Sequence, residues 1–236
     1  MYQNKTFLAF IPARGGSKGI PRKNIIKINN KHLIDYTIEA AIASAYIDTV
    51  FVSTDDKEIA DISKKCGAEV PFLRPTNLAQ DKSEIIDSVI QALNEFAKMN
   101  KTFDYVVLLQ PTQPLRQTHH IDAAIESIAN SKEQSLVSVS KVSDHPLLMR
   151  TIDNNGCLQS LLGTNSSVRR QDFPDYYKVN GAIYINQTSS ISTDTSFNDN
   201  CLPFIMDSQY DVDIDNYFDI EIFKLKLSIN TSILST

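Results

Sequence analysis

The sequence predicts an α/β protein whose central sheet is mostly parallel, and two observations support that prediction. Short apolar runs, typical of strands buried on both faces, alternate with amphipathic stretches in which apolar side chains recur at helical spacing. Parallel strands need crossover helices between them, so this alternation indicates βαβ units. The length of 236 residues and the ordinary globular composition fit a single domain, residues 1–236.

The first half of the chain alternates predicted strands and helices. The apolar run 105–109 is the clearest strand, and it ends abruptly at Pro111 and Pro114. Gly67 directly follows the second helix and suits its C-cap, where a left-handed conformation is common. In order, the predicted elements are strand 7–11, helix 33–46, strand 49–53, helix 55–66, helix 83–99 and strand 105–109.

The second half keeps this rhythm except in one segment. Residues 144–178 are polar, rich in Asn, Ser, Gln and Arg, and have few periodic apolar positions. We interpret them as an excursion from the sheet rather than as a second domain. The other predicted elements are helix 119–129, strand 136–140, strand 182–185, strand 202–206 and helix 216–227, and residues 228–236 are expected to form a frayed tail.

Charge and cysteine content narrow the class of protein. A net charge of −5 makes a nucleic acid or an anionic membrane surface an unexpected partner. The three cysteines lie far apart and contain no CxxC pair, so a disulfide framework is not expected and a reducing cytoplasm is the natural location. No apolar run approaches the roughly 18 residues of a membrane span.

A basic loop, residues 13–24 (ARGGSKGIPRKN), follows the first predicted strand. Three glycines fall within residues 15–19, and Arg14, Lys18 and Lys23 lie close together with no acidic residue between them. Glycine lets backbone N–H groups approach phosphate oxygens, while Arg and Lys neutralise their charge. The loop matches neither the Walker A nor the GxGxxG pattern. It predicts a polyphosphate site, with a solvated basic loop as the alternative.

An acidic segment, residues 211–215 (DVDID), precedes the last predicted helix. In extended backbone, a period of two places its three aspartates on one face and its two apolar side chains on the other. Carboxylates on one face repel each other, and a hard cation such as Mg²⁺ would compensate that repulsion. An acidic surface patch that caps the following helix is the alternative.

Residues 11–19 (IPARGGSKG), with Lys23 and Asn24 behind them, resemble the signature loop of the acylneuraminate cytidylyltransferases, the CMP-sialic acid synthetases. Further segments match the same family in order, and the resemblance covers residues 6–227. These segments are 53–55 (STD), 73–75 (LRP) with Leu78, Ala79 and Asp81, 108–116 (LLQPTQPLR), His145-Pro146, Arg170-Gln171, 180–185 (NGAIYI) and 213–215 (DID).

The resemblance implies a Rossmann-like, three-layer α/β domain that works as a homodimer, with residues 144–178 as the dimerisation arm. It implies the joining of CTP to a 2-keto-3-deoxy nonulosonic acid, giving the CMP-sugar and pyrophosphate by in-line attack of the anomeric hydroxyl on the α-phosphate. Asp213 and Asp215 would hold the Mg²⁺ cofactor, for which Mn²⁺ could substitute. The general base for the hydroxyl stays open between Asp211, a metal-bound water and the substrate itself.

The resemblance also assigns the candidate site residues. The catalytic set is Arg14, Lys23, Asp213 and Asp215. The nucleotide-binding set is Arg14, Gly15, Ser17, Lys18, Lys23, Asn24, Arg74 and Ser83, the last through its backbone. The sugar-binding set is Gln110, Thr112, Arg170, Asn180 and Tyr184.

Four of these assignments have structural alternatives. Arg74 could be a surface residue, although a fixed guanidinium can donate to both O2 and N3 of cytosine, which Lys cannot match. Gln110 could satisfy backbone groups at a strand end instead of sugar hydroxyls. Arg170 could belong to a charged arm instead of pairing with the sugar carboxylate. Tyr184, in a buried strand, could be a core residue.

Two positions depart from the sialic acid pattern. Leu148 stands where many sialic acid enzymes carry Lys, and Lys178-Val179 stands where they often carry Arg-Pro. Both positions are expected on the sugar side, so another nonulosonic acid, such as a legionaminic or other diacetamido acid, is a candidate acceptor.

Other functional classes remain as alternatives. A related nucleotidyltransferase could act on a sugar phosphate with another NTP, and a nucleotide-sensing protein could keep the fold without the chemistry. A dinucleotide oxidoreductase is a weaker alternative because the chain lacks the GxGxxG fingerprint. The basic loop together with paired aspartates favours an enzyme over a sensor, since binding alone needs no metal pair.

Overall fold

The computed structural model describes residues 1–162 and 169–233, except the side chains of Arg170 and of residues 230–233. Strands and α-helices are numbered here in chain order within those ranges. The strands are β1 (Phe7–Pro12), β2 (Lys27–Ile28), β3 (Lys31–His32), β4 (Thr49–Ser53), β5 (Tyr105–Leu108), β6 (Ser135–Lys141), β7 (Arg150–Ile152), β8 (Leu158–Ser160), β9 (Tyr177–Gln187) and β10 (Leu202–Met206). The helices are α1 (Leu33–Ile42), α2 (Lys57–Lys65), α3 (Ile85–Lys98), α4 (Thr118–Ala129) and α5 (Tyr217–Ile233).

The main sheet has six strands in the order β10-β6-β9-β5-β1-β4. β1 pairs in parallel with β4 and β5, and β10 pairs in parallel with β6. β9 is antiparallel to both of its neighbours, β5 and β6. The predicted α/β class with a mostly parallel sheet is therefore confirmed, and β9 is the exception.

The direction of β9 follows from the chain that leads into it. The described residues between β6 and β9 contain no α-helix that would carry the chain back to the opposite edge of the sheet. The chain therefore enters β9 from the edge at which β6 ends, and it must run antiparallel. β9 is also longer than the predicted strand 182–185, because residues 177–179 pair with the end of β6.

Helices cover both faces of the sheet, which gives the predicted three layers. On one face, α1, α2 and α4 pack against alternate strand residues such as Ala9 and Val107. On the other face, α3 packs Phe96 against a set that includes Phe10 and Leu108. Successive residues of β1 and β5 thus contact opposite helical layers. β1, β4 and β5 are buried on both faces, as their apolar runs predict, whereas Pro203 and Ile205 leave one face of β10 exposed.

A third apolar cluster lies under α5 and supports the acidic segment. Phe223 of α5 is fully buried there, together with Val212 and Ile214. Ile20, from the basic loop, belongs to the same cluster. The basic loop and the acidic segment therefore rest on one common floor.

Several helix ends differ from the predictions. The predicted helix 33–46 ends at Ile42, and the Ser44 hydroxyl then accepts hydrogen bonds from the backbone N–H groups of Tyr46 and Ile47 in a turn. The prediction of a frayed tail is wrong for residues 228–233, because α5 continues to Ile233 without a Gly or Pro to interrupt it. Residues 234–236 lie outside the described residues.

The excursion 144–178 contains the hairpin of β7 and β8. Its cross-strand pair Ile152 and Leu158 is strongly exposed, at 73% and 68% of the side-chain reference area. Residues 163–168 of this predicted arm lie outside the described residues. Within the ranges that the structure describes, no helix combines the length and the apolar character needed to cross a membrane.

Candidate active site

A cleft of about 420 Å³ opens at the carboxyl ends of β1 and β5, which is where open parallel sheets bind ligands. Pro12 ends β1 and Gln110 follows β5, and both line the cleft. The predicted site residues that line it are Arg14, Ser17, Lys23, Asn24, Arg74, Ser83, Gln110, Thr112, Asp213 and Asp215. Gly15 and Lys18 belong to the same basic loop beside it.

Two cations of the basic loop share one carboxylate across the cleft. Arg14 Nη2 lies 3.0 Å from Asp81 Oδ1, and Lys18 Nζ lies 2.7 Å from Asp81 Oδ2. The hydrogen bond from Lys18 is the largest cause that lowers the pKa of Asp81. Asn24 holds the loop from behind, because its side-chain Nδ2 donates to the Arg14 carbonyl at 3.1 Å.

The loop is anchored to the start of α2. Arg22, in the left-handed backbone region at φ 59°, pairs with both Asp56 and Glu58. The hydrogen bond from Arg22 is the main cause that lowers the pKa of Asp56. Gly15 donates its backbone N–H to Asp55 Oδ1 at 2.9 Å, and a Cβ there would lie 2.8 Å from Asp56 Oδ2. This anchor leaves no room for a side chain at Gly15.

Arg74 is a buried residue, 7% exposed, so the surface alternative is wrong. Its Nε donates to Ser53 Oγ at 3.0 Å and its Nη2 donates to the Ser53 carbonyl at 2.7 Å, which fixes the guanidinium at the end of β4. Burial lowers the pKa of Arg74 to about 10, so the group stays charged at neutral pH. These two bonds use two of the five N–H donors of the guanidinium, and Arg74 lines the cleft.

Ser83 lines the cleft within a compact turn. Its hydroxyl accepts from the Gln80 backbone N–H and donates to the Asn77 carbonyl, while its own N–H donates to the Gln80 carbonyl. The predicted backbone contact with a nucleoside would therefore use the Ser83 carbonyl, or would replace one bond of this turn.

The acidic segment has the predicted alternation. Val212 and Ile214 are buried, whereas Asp213 and Asp215 open into the cleft. Surrounding atoms raise the pKa of Asp213 by desolvation, and the charge of Asp215 raises it further; a hydrogen bond from the Thr112 side chain opposes the shift. The third aspartate, Asp211, does not join this pair in the cleft and instead binds Lys178 Nζ at 2.9 Å.

Asp213 and Asp215 provide too few ligands for Mg²⁺ by themselves. They fit an ion whose other ligands are water and the phosphates of a nucleotide. No group of three or more His, Cys, Asp or Glu side chains among the described residues comes together as a metal site. Mg²⁺ keeps water and substrate phosphates in its shell and needs only one or two carboxylates from a protein. Asp213 and Asp215 supply that number. The Lys23 ammonium, 3.0 Å from Asp215 Oδ1, now compensates part of their charge.

A second, polar pocket of about 280 Å³ shares Gln110 and Asp213 with the cleft. Asn180 and Tyr184, predicted to bind sugar, also line it. The Asn180 amide is largely occupied inside the protein, because it bonds Ser138 and Ser140 of β6.

The structure describes the side chain of Tyr184, but not that of Arg170. The Tyr184 hydroxyl donates to Asn198 Oδ1 at 3.1 Å, while its ring belongs to the core cluster against α3. Arg170 begins a short 3-10 helix, and its side chain lies outside the described residues.

Several contacts of the site were not predicted from the sequence. Asp81 was visible as a motif residue, but its ion pairs join segments far apart in the chain. Arg116 was visible as well, and it is fully buried with no carboxylate among its described hydrogen-bond partners. The pairing of Lys178 with Asp211 had no sequence signal, because it depends on the length and direction of β9.

Comparisons with known proteins show the family to which the chain is similar. A family model described as cytidylyltransferase matches residues 8–214. The chain is 39% identical over 230 residues to a CMP-N,N'-diacetyllegionaminic acid synthase of Legionella pneumophila, covering 96% of this chain and 98% of that protein. It is 31% identical over 225 residues to a pseudaminic acid cytidylyltransferase of Campylobacter jejuni, covering 94% and 97%.

Two further similarities differ in extent. An N-acylneuraminate cytidylyltransferase of Streptococcus agalactiae is 34% identical over 211 residues, which are 88% of this chain but 50% of that longer protein. A solved structure of CMP:2-keto-3-deoxy-manno-octonic acid synthetase complexed with CTP superposes with a TM-score of 0.72 at 15% identity, over 95% of this chain and 99% of that one. At such low identity the second similarity concerns the fold.

Replacing Gly19 with Ala should destabilise the protein, because the added Cβ would lie 2.3 Å from the backbone oxygen of Asp215. A backbone oxygen cannot avoid the clash by a change of rotamer, as a side chain could. Such overpacking lowers the free energy of unfolding by about 1–3 kcal/mol. Thermal unfolding should show Tm lowered by roughly 3–10 °C. Gly16→Ala is the matched control, since its Cβ would meet nothing within 4 Å. An equal loss in both variants would contradict the close approach.

Proposed function

The chain belongs to the cytidylyltransferase family and is a nucleotidyltransferase, and on that premise we propose that it joins CTP to a sialic acid-like 2-keto-3-deoxy nonulosonic acid. The family resemblance of the sequence is confirmed by these matches. The observation that carries the proposal is one cleft that gathers the basic loop, the buried Arg74 and the two open carboxylates of Asp213 and Asp215. The adjoining polar pocket offers space for an acceptor beside the phosphates.

Arg74 supports the choice of CTP as the nucleotide. Its guanidinium is held by Ser53 at the end of β4, so the orientation of its remaining N–H donors is fixed. A fixed guanidinium suits the neighbouring O2 and N3 acceptors of cytosine, and a purine would overfill the same space. The turn around Ser83 forms the facing wall of the cleft.

The reaction needs positioning and charge neutralisation rather than covalent catalysis. The anomeric oxygen forms a bond to the α-phosphorus while the bond from that phosphorus to the β-phosphate oxygen breaks. Pyrophosphate leaves with that electron pair, and the hydroxyl proton is released. In this proposal Arg14, Lys18 and Lys23 would neutralise the charge that grows on the departing pyrophosphate.

Asp213 and Asp215 are the residues that would hold Mg²⁺ in the presence of the triphosphate. When bound, the ion supplies Lewis-acid stabilisation of the phosphate charge. Lys23, now paired with Asp215, would then be free to contact phosphate oxygens. Mn²⁺, which also prefers oxygen ligands, could substitute.

The acceptor we propose is a nine-carbon acid of the sialic, legionaminic or pseudaminic kind. The named relatives act on these acids, and the match at 39% identity favours a diacetamido acid of the legionaminic type. Lys178 lines the polar pocket where many sialic acid enzymes carry Arg, which supports an acceptor other than sialic acid itself.

We also propose that the protein is a homodimer, with the arm 144–178 docked on the partner. Apolar side chains along the arm are exposed in the single chain, and exposed apolar patches mark interaction surfaces. They are Leu148, Met149, Ile152, Leu158 and Leu161.

An acceptor panel tests the function. We expect pyrophosphate release from CTP and Mg²⁺ with a diacetamido nonulosonic acid, and much less with the eight-carbon 2-keto-3-deoxy-manno-octonic acid. ATP and GTP should support little turnover with the same acceptor. Comparable turnover with all nucleotides, or no turnover with any nine-carbon acid, would overturn the proposal.

Asp213→Asn should separate catalysis from stability. Loss of the metal-binding charge should lower turnover by roughly 10²–10³-fold, by analogy with other losses of transition-state charge stabilisation. The pKa of Asp213 is raised in the fold, so above that pKa the ionised carboxylate opposes folding. The nucleotide-free variant should therefore keep or exceed the wild-type Tm at neutral pH. Wild-type turnover with unchanged Mg²⁺ dependence would refute the assignment.

A charged side chain on the arm should dissociate the dimer, because an exposed apolar pair would be buried there. Light scattering should give twice the chain mass for the wild-type protein and a single chain mass for Leu158→Asp. Ile42→Asp, at another exposed apolar position outside the arm, is the matched control and should stay dimeric. A monomeric wild-type protein with full activity would contradict the proposal.

A further inference from the structure

Asp81 uses both of its carboxylate oxygens on the basic loop. Oδ1 lies 3.0 Å from Arg14 Nη2, and Oδ2 lies 2.7 Å from Lys18 Nζ. Asp81 comes from the segment between Arg74 and α3, so the contact joins two separate walls of the cleft. A single carboxylate thus bridges two cations that the proposed function assigns to phosphates.

This bridge differs in kind from the anchor of Arg22. Arg22 pairs with Asp56, a residue that also caps α2 by accepting the Ile59 N–H, so its partner is fixed by a helix. Asp81 is 48% exposed and lies in a loop, where ion pairs exchange readily with other anions. Of these two contacts, the Asp81 bridge is therefore the one that a ligand can replace at low cost.

We propose that Asp81 is an internal competitor of phosphate: its carboxylate occupies Arg14 and Lys18 until a polyphosphate displaces it. The proposal rests on the proposed function for the assignment of these cations to phosphates. The exchange conserves hydrogen bonds, since each N–H donor passes from a carboxylate oxygen to a phosphate oxygen. Every ligand whose phosphates reach the two cations must meet this competition, and a nucleoside without phosphates does not.

The competition has two consequences for binding. A weakly charged anion brings little more charge than the carboxylate it replaces, so Asp81 favours polyphosphates over simple anions. The same competition acts in reverse when pyrophosphate leaves, because Asp81 can return to both cations. Asp81 therefore lowers the affinity for pyrophosphate and helps to release it.

Asp81→Asn is the test, because it keeps the size and one oxygen while it removes the charge. Isothermal titration with inorganic pyrophosphate, at fixed Mg²⁺ and ionic strength, should give a Kd about three- to tenfold lower than that of the wild-type protein. The Kd of cytidine should not change. Unchanged Tm would show that the variant is folded.

Glu84→Gln is the matched control. Glu84 lines the same cleft and carries the same charge, but it makes no ion pair with the described residues. Its replacement should change the pyrophosphate Kd less than twofold. An equal gain in both variants would attribute the effect to the general field of the cleft and overturn the proposal. A weaker pyrophosphate affinity in Asp81→Asn would overturn it too, since Asp81 would then organise the loop for phosphate.

The titration does not depend on the acceptor or on turnover. If pyrophosphate binds more tightly to Asp81→Asn while the acceptor panel gives no product, the proposed function fails and the competitor role stands. If the panel gives product and the pyrophosphate Kd is unchanged, the competitor role fails alone.

Discussion

The concentration of positive charge on one glycine-containing loop is the constraint on which this structure depends. Like charges at such short range repel each other, and nearby carboxylates reduce that repulsion. The compensating carboxylates belong to other segments of the chain and not to the loop itself. The pairs are Arg14 and Lys18 with Asp81, Arg22 with Asp56, and Lys23 with Asp215. The charge of the loop is therefore balanced by carboxylates whose positions are set by other elements of the fold.

These counter-charges differ in how firmly they are held. Asp56 is fixed at the start of α2, whereas Asp215 is 74% exposed above an apolar floor. The loop nevertheless cannot move freely against the acidic segment, because Gly19 lies directly on the backbone of Asp215. Permanent anchors thus set the position of the loop, while the exposed pairs leave its charges available. Such a division suits a site that must bind and release a highly charged ligand.

Local patterns predicted the layered fold, the basic loop and the acidic segment, whereas Arg74, Ser83 and Gln110 were assigned through the family resemblance. The alternation in residues 211–215 was enough to predict a buried Val212 and an exposed Asp213, although the burial itself depends on packing with distant residues such as Phe223. The direction of β9 could not be predicted from its own apolar residues, since it follows from how the preceding excursion returns to the sheet. Likewise, Asn180 was predicted to bind sugar, yet most of its side-chain amide is hydrogen-bonded to Ser138 and Ser140 of β6.

Arg116 is a buried cation next to the residues that line the site. It is fully buried, and its Nη1 donates to the carbonyl of Ala182 at 2.8 Å and to that of Gln110 at 3.3 Å. Burial lowers its pKa to about 9, which still leaves the guanidinium protonated at neutral pH. Backbone carbonyls partly compensate this positive charge. A carboxylate would neutralise it. The cation thus ties the turn after β5, which borders both pockets, to β9. Because Gln110 lines both of them, this buried cation supports the point at which nucleotide and acceptor would meet.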